Sequence, residues 1–121
     1  MSADDLEIAG QFLATLAMVA KTGERKLLYP FLASDVEWVM PQCALIGIDE
    51  VREQLIWITE PESFDLEFEA TGLRDLGDGR IVSGEHETSL LKTTGEPAHA
   101  RDHRIELTIR GGKIGRYERT S

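Results

Sequence analysis

The stretch FDLEFEAT, residues 64–71, marks a change in the hydrophobic pattern of this 121-residue chain. Apolar and polar residues alternate one by one here, which is typical of a β-strand with one buried face. The acidic residues Asp65, Glu67 and Glu69 would then cover the exposed face. Before this stretch the apolar residues recur every three to four positions, and after it the chain is divided by glycine turns.

Those turns predict four long antiparallel strands. The first strand starts at residue 64 and ends at the turn 76–79, whose glycines and aspartate tolerate positive φ. The next two would cover 80–92 and 98–110, and the last 113–119. They are separated by the turns TGEP (94–97) and GG (111–112).

The N-terminal half predicts three helical stretches and one strand. The first helix would run from about Ala3 to a stop at Thr22-Gly23, and a shorter stretch from Glu24 to Leu32 contains Pro30. The alternation in 36–40 predicts a strand, and the apolar spacing after Gly47, through Ile58, predicts a third helix. The predicted fold class is therefore α+β, with three N-terminal helices covering one face of a curved antiparallel sheet.

The amino-acid composition excludes several classes of protein. Hydrophobic residues make up 41% and charged residues 29%, which excludes a disordered chain, and the single Cys43 excludes an internal disulfide. The net charge of −9 argues against nucleic acid or an anionic membrane as partner. The segment 8–20 is too short to span a membrane, and no signal peptide pattern opens the sequence. We expect one domain over 1–121, located in the cytoplasm.

Three short strings carry a family resemblance: FLASDVEW (31–38), GIDEVR (47–52) and GGKI (111–114). They resemble the F-A-D-D-V-x-W, G-x-x-A-I-R and D-G-K-I stretches of the nuclear transport factor 2-like superfamily, in its SnoaL-like and ketosteroid-isomerase-like branch. The resemblance implies a cone-shaped, cystatin-like roll with an apolar pocket in its open end, and a homodimer formed through the sheet. Its members include isomerases, cyclases, dehydratases and domains without chemistry, so the fold leaves the function open.

The catalytic residues of three branches of that superfamily are absent at the matching positions. The carboxylate base and the oxyanion tyrosine of the ketosteroid isomerases fall near Trp38 and Phe12. The catalytic aspartate of the polyketide cyclases falls on Ile105. The arginine and first aspartate of the limonene epoxide hydrolases fall on Glu85 and Glu87, so that strand lacks an arginine between two acids.

A polar cluster on the strand 98–110 remains as the candidate site. Residues two apart on a strand point to the same face, so one inner face would carry the apolar residues from Ile105 onward together with His99, Arg101 and His103. The neighbouring strand has two registers. One points Val82, His86, Thr88 and Leu90 inward, and the other points Ile81, Glu85, Glu87 and Leu91 inward. We favour the first because it buries no adjacent carboxylates.

The sequence therefore leads to two hypotheses. In the first, His86 and His103 exchange protons and Arg101 stabilises an oxyanion during cofactor-free isomerase, cyclase or dehydratase chemistry on a small apolar oxygenated compound. The pocket wall would consist of Phe12, Leu16, Trp38, Met40, Phe68, His99, Ile105 and Tyr117. In the second, the chain is a non-catalytic ligand-binding or dimerisation domain.

We expect neither a cofactor nor a metal ion. His99 and His103 are four residues apart on a strand, a span of about 13 Å, which is too long for two ligands of one zinc ion with bonds of about 2 Å.

Overall fold

The computed structural model describes residues 2–54 and 64–120, and the side chains of residues 5–54 and 65–120. Helix α1 spans Ser2–Thr22 and buries the apolar stripe that the sequence predicts. The buried residues include Phe12, Leu16 and Val19. The helix ends as predicted, because Gly23 adopts a positive φ of 77° and its N–H bonds the carbonyl of Val19 at 2.8 Å.

The predicted second helical stretch takes the form of two short 3₁₀ helices, Arg25–Leu27 and Tyr29–Phe31. Pro30 has no N–H to donate to a continuous helix, which accounts for the interruption. Helix α2 covers Ile48–Gln54 and begins after Gly47, where φ is 89°. The remainder of the predicted third helix, through Ile58, lies outside the described residues.

In the described part of the chain, six strands form one curved, open sheet. They are β1 Leu32–Met40, β2 Cys43–Ile46, β3 Phe64–Gly77, β4 Arg80–Leu91, β5 Pro97–Arg110 and β6 Lys113–Thr120. The sheet order is β2-β1-β6-β5-β4-β3, and among these described strands the β1–β6 pair is parallel and the other pairs are antiparallel. The sequence did not predict β2, whose four residues include one buried side chain, Leu45.

The core lies between α1 and the face of the sheet that we call the inner face. Phe12 of α1 meets Trp38 and Tyr117 edge to face, with ring centroids 6.1 and 6.2 Å away. Trp38 and Tyr117 are direct partners on β1 and β6, and their rings stack at 4.0 Å. Since directly paired residues point to the same face, this aromatic pair fixes which residues of β4 and β5 face inward.

Candidate active site

The strand register decides which polar residues of β4 are buried. Glu85 pairs with His103 and Glu87 pairs with Arg101, so these four residues share the inner face. Glu85 and Glu87 are buried, whereas His86 points to the opposite, outer face. The register favoured from the sequence was therefore wrong. Positively charged side chains from neighbouring strands lie beside these carboxylates. The cost of burying the carboxylates was judged from their own strand alone, without these neighbours.

His103 and Glu87 form the central contact of the inner face. His103 Nε2 lies 3.0 Å from Glu87 Oε1, and each side chain is 6% exposed. Because an ionised carboxylate only accepts, Nε2 donates and carries a proton. The other ring nitrogen, Nδ1, is buried and has no hydrogen-bond partner among the described residues.

Arg119 of β6 completes this contact, and sequence reasoning missed it. One guanidinium nitrogen lies 3.3 Å from Glu87 Oε1, and the side chain is 11% exposed. The sequence feature that could have revealed Arg119 is its spacing from Tyr117, because residues two apart on one strand point to the same face. The regular alternation of buried and exposed residues is broken at the start of β6. A register shift opposite Thr108 and Ile109 leaves Ile114 and Tyr117 both buried, although they are an odd number of residues apart.

Glu85 lies beside this group, and its surroundings shift the pKa of its carboxyl strongly. Burial raises the pKa of Glu85 from 4.5 to about 7; the positive charge of Arg119 lowers it and the negative charge of Glu87 raises it further. The residue is 4% exposed, and its Oε1 has no hydrogen-bond partner among the described residues. Both protonation states are therefore populated near neutral pH.

Tyr117 and Trp38 form the apolar side of the site. Burial raises the pKa of Tyr117 well above 10, and the charge of Glu85 raises it further, so the phenol stays neutral. Trp38 Nε1 is buried without a partner among the described residues. A neutral phenol and an indole N–H are both hydrogen-bond donors, and the phenol of Tyr117 is the one that senses the charges of Glu85 and Glu87.

The exposed end of the inner face carries Arg101 and His99. Arg101 is 67% exposed, and its guanidinium nitrogen lies 3.7 Å from Glu87 Oε2. His99 is also exposed and lies opposite Ser89. The predicted shared face of His99, Arg101, His103 and Ile105 is present in the structure, with the first two residues at the solvent end and the last two buried.

The remaining predicted site residues are placed as follows. His86 Nδ1 lies 2.8 Å from Asp102 Oδ1 on the outer face, where the two side chains are 42% and 85% exposed. This pair is separate from the inner-face group. The predicted wall residues that are buried in the core are Phe12, Leu16, Trp38, Phe68, Ile105 and Tyr117, and Met40 packs partly buried against them.

Clefts among the described residues involve the outer face. One of about 290 Å³ is lined by Lys21, Glu67, Phe68, Glu69, His86 and Thr88. A smaller cleft of about 170 Å³ lies beside Arg74 and Arg104. Within residues 2–54 and 64–120, no helix is long and apolar enough to cross a membrane. In the same part of the chain, no three His, Cys, Asp or Glu side chains are grouped so that they could hold a metal ion.

The inner face thus combines two carboxylates with an arginine, although no single strand carries the three. Glu85 and Glu87 come from β4 and Arg119 comes from β6, the strand beyond β5. We define the inner-face cluster as Glu85, Glu87, His103 and Arg119, with Arg101 at its exposed rim. Chemically, it offers a group that exchanges a proton near neutral pH beside fixed cations that stabilise negative charge.

Comparison with known proteins supports the fold. No protein-family model and no curated protein matches the sequence. Among solved structures, TerC co-crystallised with polyporic acid is 20% identical, with a TM-score of 0.76 over 97% of this chain and 90% of that chain. A nuclear transport factor 2-like protein from Anabaena variabilis is 18% identical, with a TM-score of 0.76 over 97% and 89% of the two chains.

A third similar structure is a proposed SnoaL-like polyketide cyclase from Jannaschia sp. CCS1. It is 16% identical, with a TM-score of 0.73 over 98% of this chain and 85% of that chain. At these identities the likeness concerns the fold and leaves the activity open. The six-stranded curved sheet and its helices therefore have the nuclear transport factor 2-like fold that the resemblance implied.

Proposed function

We propose that this protein is a cofactor-independent acid–base enzyme that acts on a small, apolar, oxygenated compound. The observation that carries the proposal is Glu85, a buried carboxyl with an unpartnered oxygen and a pKa raised to about 7. A general acid or base is most effective when its pKa lies near the working pH. The ionised form of Glu85 would remove a proton from the substrate, and the neutral form of Glu85 would return one.

The other members of the cluster would stabilise the charge that this proton transfer creates. When a C–H bond next to a carbonyl breaks, its proton passes to Glu85 and its electron pair moves to the carbonyl oxygen. Arg119 provides positive charge beside Glu85. Arg101 at the rim would hold a polar group of the substrate. His86 is left out of this assignment because it faces the other side of the sheet.

A purely structural core would gain little stability from the burial of so many ionisable groups. A buried ion pair gains little over apolar residues of similar volume, because each charge loses its hydration. Titratable groups with shifted pKa values in such surroundings are concentrated at functional sites. The names of similar proteins agree with a small-molecule role, since TerC was co-crystallised with polyporic acid.

A second candidate function is a non-catalytic ligand-binding or dimerisation domain. It is favoured by the packing of Phe12, Trp38 and Tyr117, which stack on one another in the core instead of lining open space. In that case the inner-face cluster would be a structural ion network. Loss of Glu85 would then leave every activity and every ligand affinity unchanged.

The expected partners and location belong to the same proposal. We propose a homodimer through the outer face of the sheet and a location in the cytoplasm. The exposed, unpaired thiol of Cys43 is compatible with a reducing compartment. Sedimentation velocity tests the dimer, and the mass of a monomer at micromolar concentration would contradict it.

Hydrogen exchange into simple ketones tests the acid–base function without knowledge of the natural substrate. The wild-type protein in D₂O at neutral pH should exchange the α-hydrogens of 2-tetralone, 2-indanone or cyclohexanone faster than buffer does. Glu85→Gln should abolish this exchange, and Glu96→Gln, which changes an exposed turn residue, should retain it. Exchange that is no faster in the wild type than in Glu85→Gln, for all three ketones, would contradict the proposal.

A further inference from the structure

We propose that the smaller outer-face cleft, between Arg74 and Arg104, binds a phosphate group carried by a small soluble molecule. This cleft lies on the opposite side of the sheet from the inner-face cluster, so the proposal goes beyond the proposed function and does not depend on it. Three features of the cleft support it: the state of its two arginines, the backbone that shapes its floor, and its size.

Arg74 and Arg104 differ from the other described arginines because they have no partner. Both are exposed and line the cleft, and neither forms a hydrogen bond, an ion pair or a ring contact with a described residue. Arg25 bonds the carbonyl of Arg52, and Arg52 lies over the ring of Tyr29. The arginines that form an ion pair with a carboxylate are Arg80, Arg101, Arg110, Arg116 and Arg119.

A shortage of acidic residues does not account for these two unpaired arginines. The chain has 22 acidic and 13 basic residues. The carboxylates that flank Arg104 on β5 contact other cations: Glu106 bonds Arg80 at 2.9 Å, and Asp102 Oδ1 lies 2.8 Å from His86. Two permanent positive charges therefore share one cleft without a counter-charge among the described residues.

An irregularity in the β3–β4 pairing gives the cleft its floor. The register shifts between Ala70 and Leu73, so that Thr71 and Gly72 together lie opposite Gly84. Both glycines line the cleft, and Gly72 has a φ of 110° that favours glycine. Since neither glycine has a side chain, a ligand can approach the backbone closely between the two arginines. Bulges of this kind are frequent next to functional sites.

The arginines reach the cleft from opposite sides. Arg74 on β3 pairs with Val82, and Arg104 on β5 pairs with Gly84, so β4 lies between them. Their backbones are about 10 Å apart across the sheet, which is twice the spacing of neighbouring strands. Two guanidinium groups on opposite sides favour a tetrahedral phosphate, whose oxygens point in several directions, over a planar carboxylate, which matches one guanidinium fork.

The size of the cleft limits the ligand to a small one. Its volume of about 170 Å³ is below the range of about 300 to 1,000 Å³ that is typical of pockets for drug-sized ligands. The same face of the sheet is the surface proposed for the homodimer. Burial of two guanidinium groups without a counter-charge would be unfavourable there, so a bound phosphate would neutralise them in a dimer as well as in a monomer.

Three probes with the same aromatic ring test the site: phenyl phosphate, phenyl sulfate and benzoate. Near pH 7.5 phenyl phosphate carries a charge of about −2, whereas the other two carry one negative charge. Binding would be followed by NMR of ¹⁵N-labelled protein at constant ionic strength. We expect phenyl phosphate to bind about tenfold tighter than the other probes and to shift the amide resonances of Gly72 and Gly84 most.

Variants assign the binding to the two arginines. Arg74→Gln and Arg104→Gln should each weaken phenyl phosphate about tenfold, because each removes one charged donor group. Arg110→Gln is the matched control, since it removes an arginine from the same strand that pairs with Asp35, and it should bind as the wild type does. Circular dichroism would verify folding, and a variant that fails to fold would be replaced by Arg74→Lys or Arg104→Lys, which should also bind more weakly.

Vesicles of phosphatidylcholine with one fifth phosphatidic acid separate a soluble ligand from a lipid headgroup. We expect the protein not to sediment with them, because its net charge of −9 opposes an anionic surface. Sedimentation that depends on Arg74 and Arg104 would overturn the assignment to a soluble molecule. The site itself would be overturned by equal affinity for the three probes, by no phenyl phosphate binding at 10 mM, by unchanged affinity in both variants, or by resonance shifts centred on the inner-face cluster.

Discussion

His103 Nε2 lies 3.0 Å from Glu87 Oε1 in the core, whereas His86 Nδ1 lies 2.8 Å from Asp102 Oδ1 on the opposite face of the same two strands. The two pairs have the same chemistry and similar geometry. They differ in burial, since the first pair is 6% exposed on both sides and the second is 42% and 85% exposed. The sheet thus contains its own control for the effect of burial on a carboxylate–imidazole pair.

We predict that Glu87→Ala destabilises the protein much more than Asp102→Ala. Glu87→Ala leaves His103 and Arg119 buried without their shared carboxylate, and loss of one partner of a buried pair costs about 3 kcal/mol or more. Asp102→Ala removes a solvated pair and should cost less than about 1 kcal/mol. Urea unfolding measures both. Equal losses would show that the inner-face pair is as solvated as the outer one.

Glu85 should give the stability a pH dependence of defined sign. Its folded-state pKa of about 7 lies above the ordinary 4.5, so the folded protein binds more protons than the unfolded chain between these values. Glu85 therefore lowers the free energy of unfolding as pH rises from 4.5 to 7, by about 3 kcal/mol in total, and has no further effect above that range.

Comparison with Glu85→Gln isolates this contribution. The free energy of unfolding of Glu85→Gln relative to the wild type should increase by about 3 kcal/mol between pH 4.5 and 7 and then stay constant. Glu96→Gln is the matched control, because it removes an exposed carboxylate, and it should show no such trend. A difference between Glu85→Gln and the wild type that is independent of pH would contradict the raised pKa.

Two turn glycines with nearly the same φ should respond differently to alanine. Gly79 and Gly95 have φ values of 78° and 75°, and for alanine this left-handed conformation costs about 1 kcal/mol. A Cβ on Gly79 would also stand 2.3 Å from the carbonyl oxygen of Ile109, whereas one on Gly95 would meet nothing within 4 Å. We expect Gly79→Ala to cost about 3 kcal/mol and Gly95→Ala about 1 kcal/mol. Thermal and urea unfolding would show the difference, and equal losses would mean that the 78–79 turn relaxes freely.

Phe12→Ala separates a core residue from a pocket wall. Phe12 is fully buried against Phe31, Trp38 and Tyr117, so its truncation should cost about 3 to 5 kcal/mol through the cavity it leaves. Met18→Ala on the same helix changes a half-exposed side chain and should cost less than about 0.5 kcal/mol. A loss below about 1 kcal/mol for Phe12→Ala would mean that its ring borders open space.

The fold was predictable because local patterns and long-range packing agree. The alternation from residue 64, the stop at Gly23 and the hairpin at 76–79 are each set by residues close in sequence, and each appears in the structure. The parity of β5 was predictable for the same reason, since Ile105 and Leu107 determine which face is buried and His103 follows them. The short β2 carries too few buried residues to show a pattern.

The candidate site was only half predictable because its charges are balanced across strands. Burial of Glu85 and Glu87 is unfavourable when β4 is considered alone, and Arg119 becomes their neighbour only once β6 pairs with β5. The register shift near Ile114 conceals that Arg119 faces inward. Sequence parity therefore located His103 and Arg101 on the correct face but assigned His86 to the wrong one.

The ionisation of Glu85 is the most direct test of this account. The ¹³Cδ resonance of Glu85, assigned by its loss in Glu85→Gln, would be followed from pH 3 to pH 9 by NMR in glutamate-labelled protein. We predict a midpoint of about 7, because burial opposes the charged form. A midpoint below 5 would show an ordinary carboxyl and would contradict the role of Glu85 as the proton-transferring group.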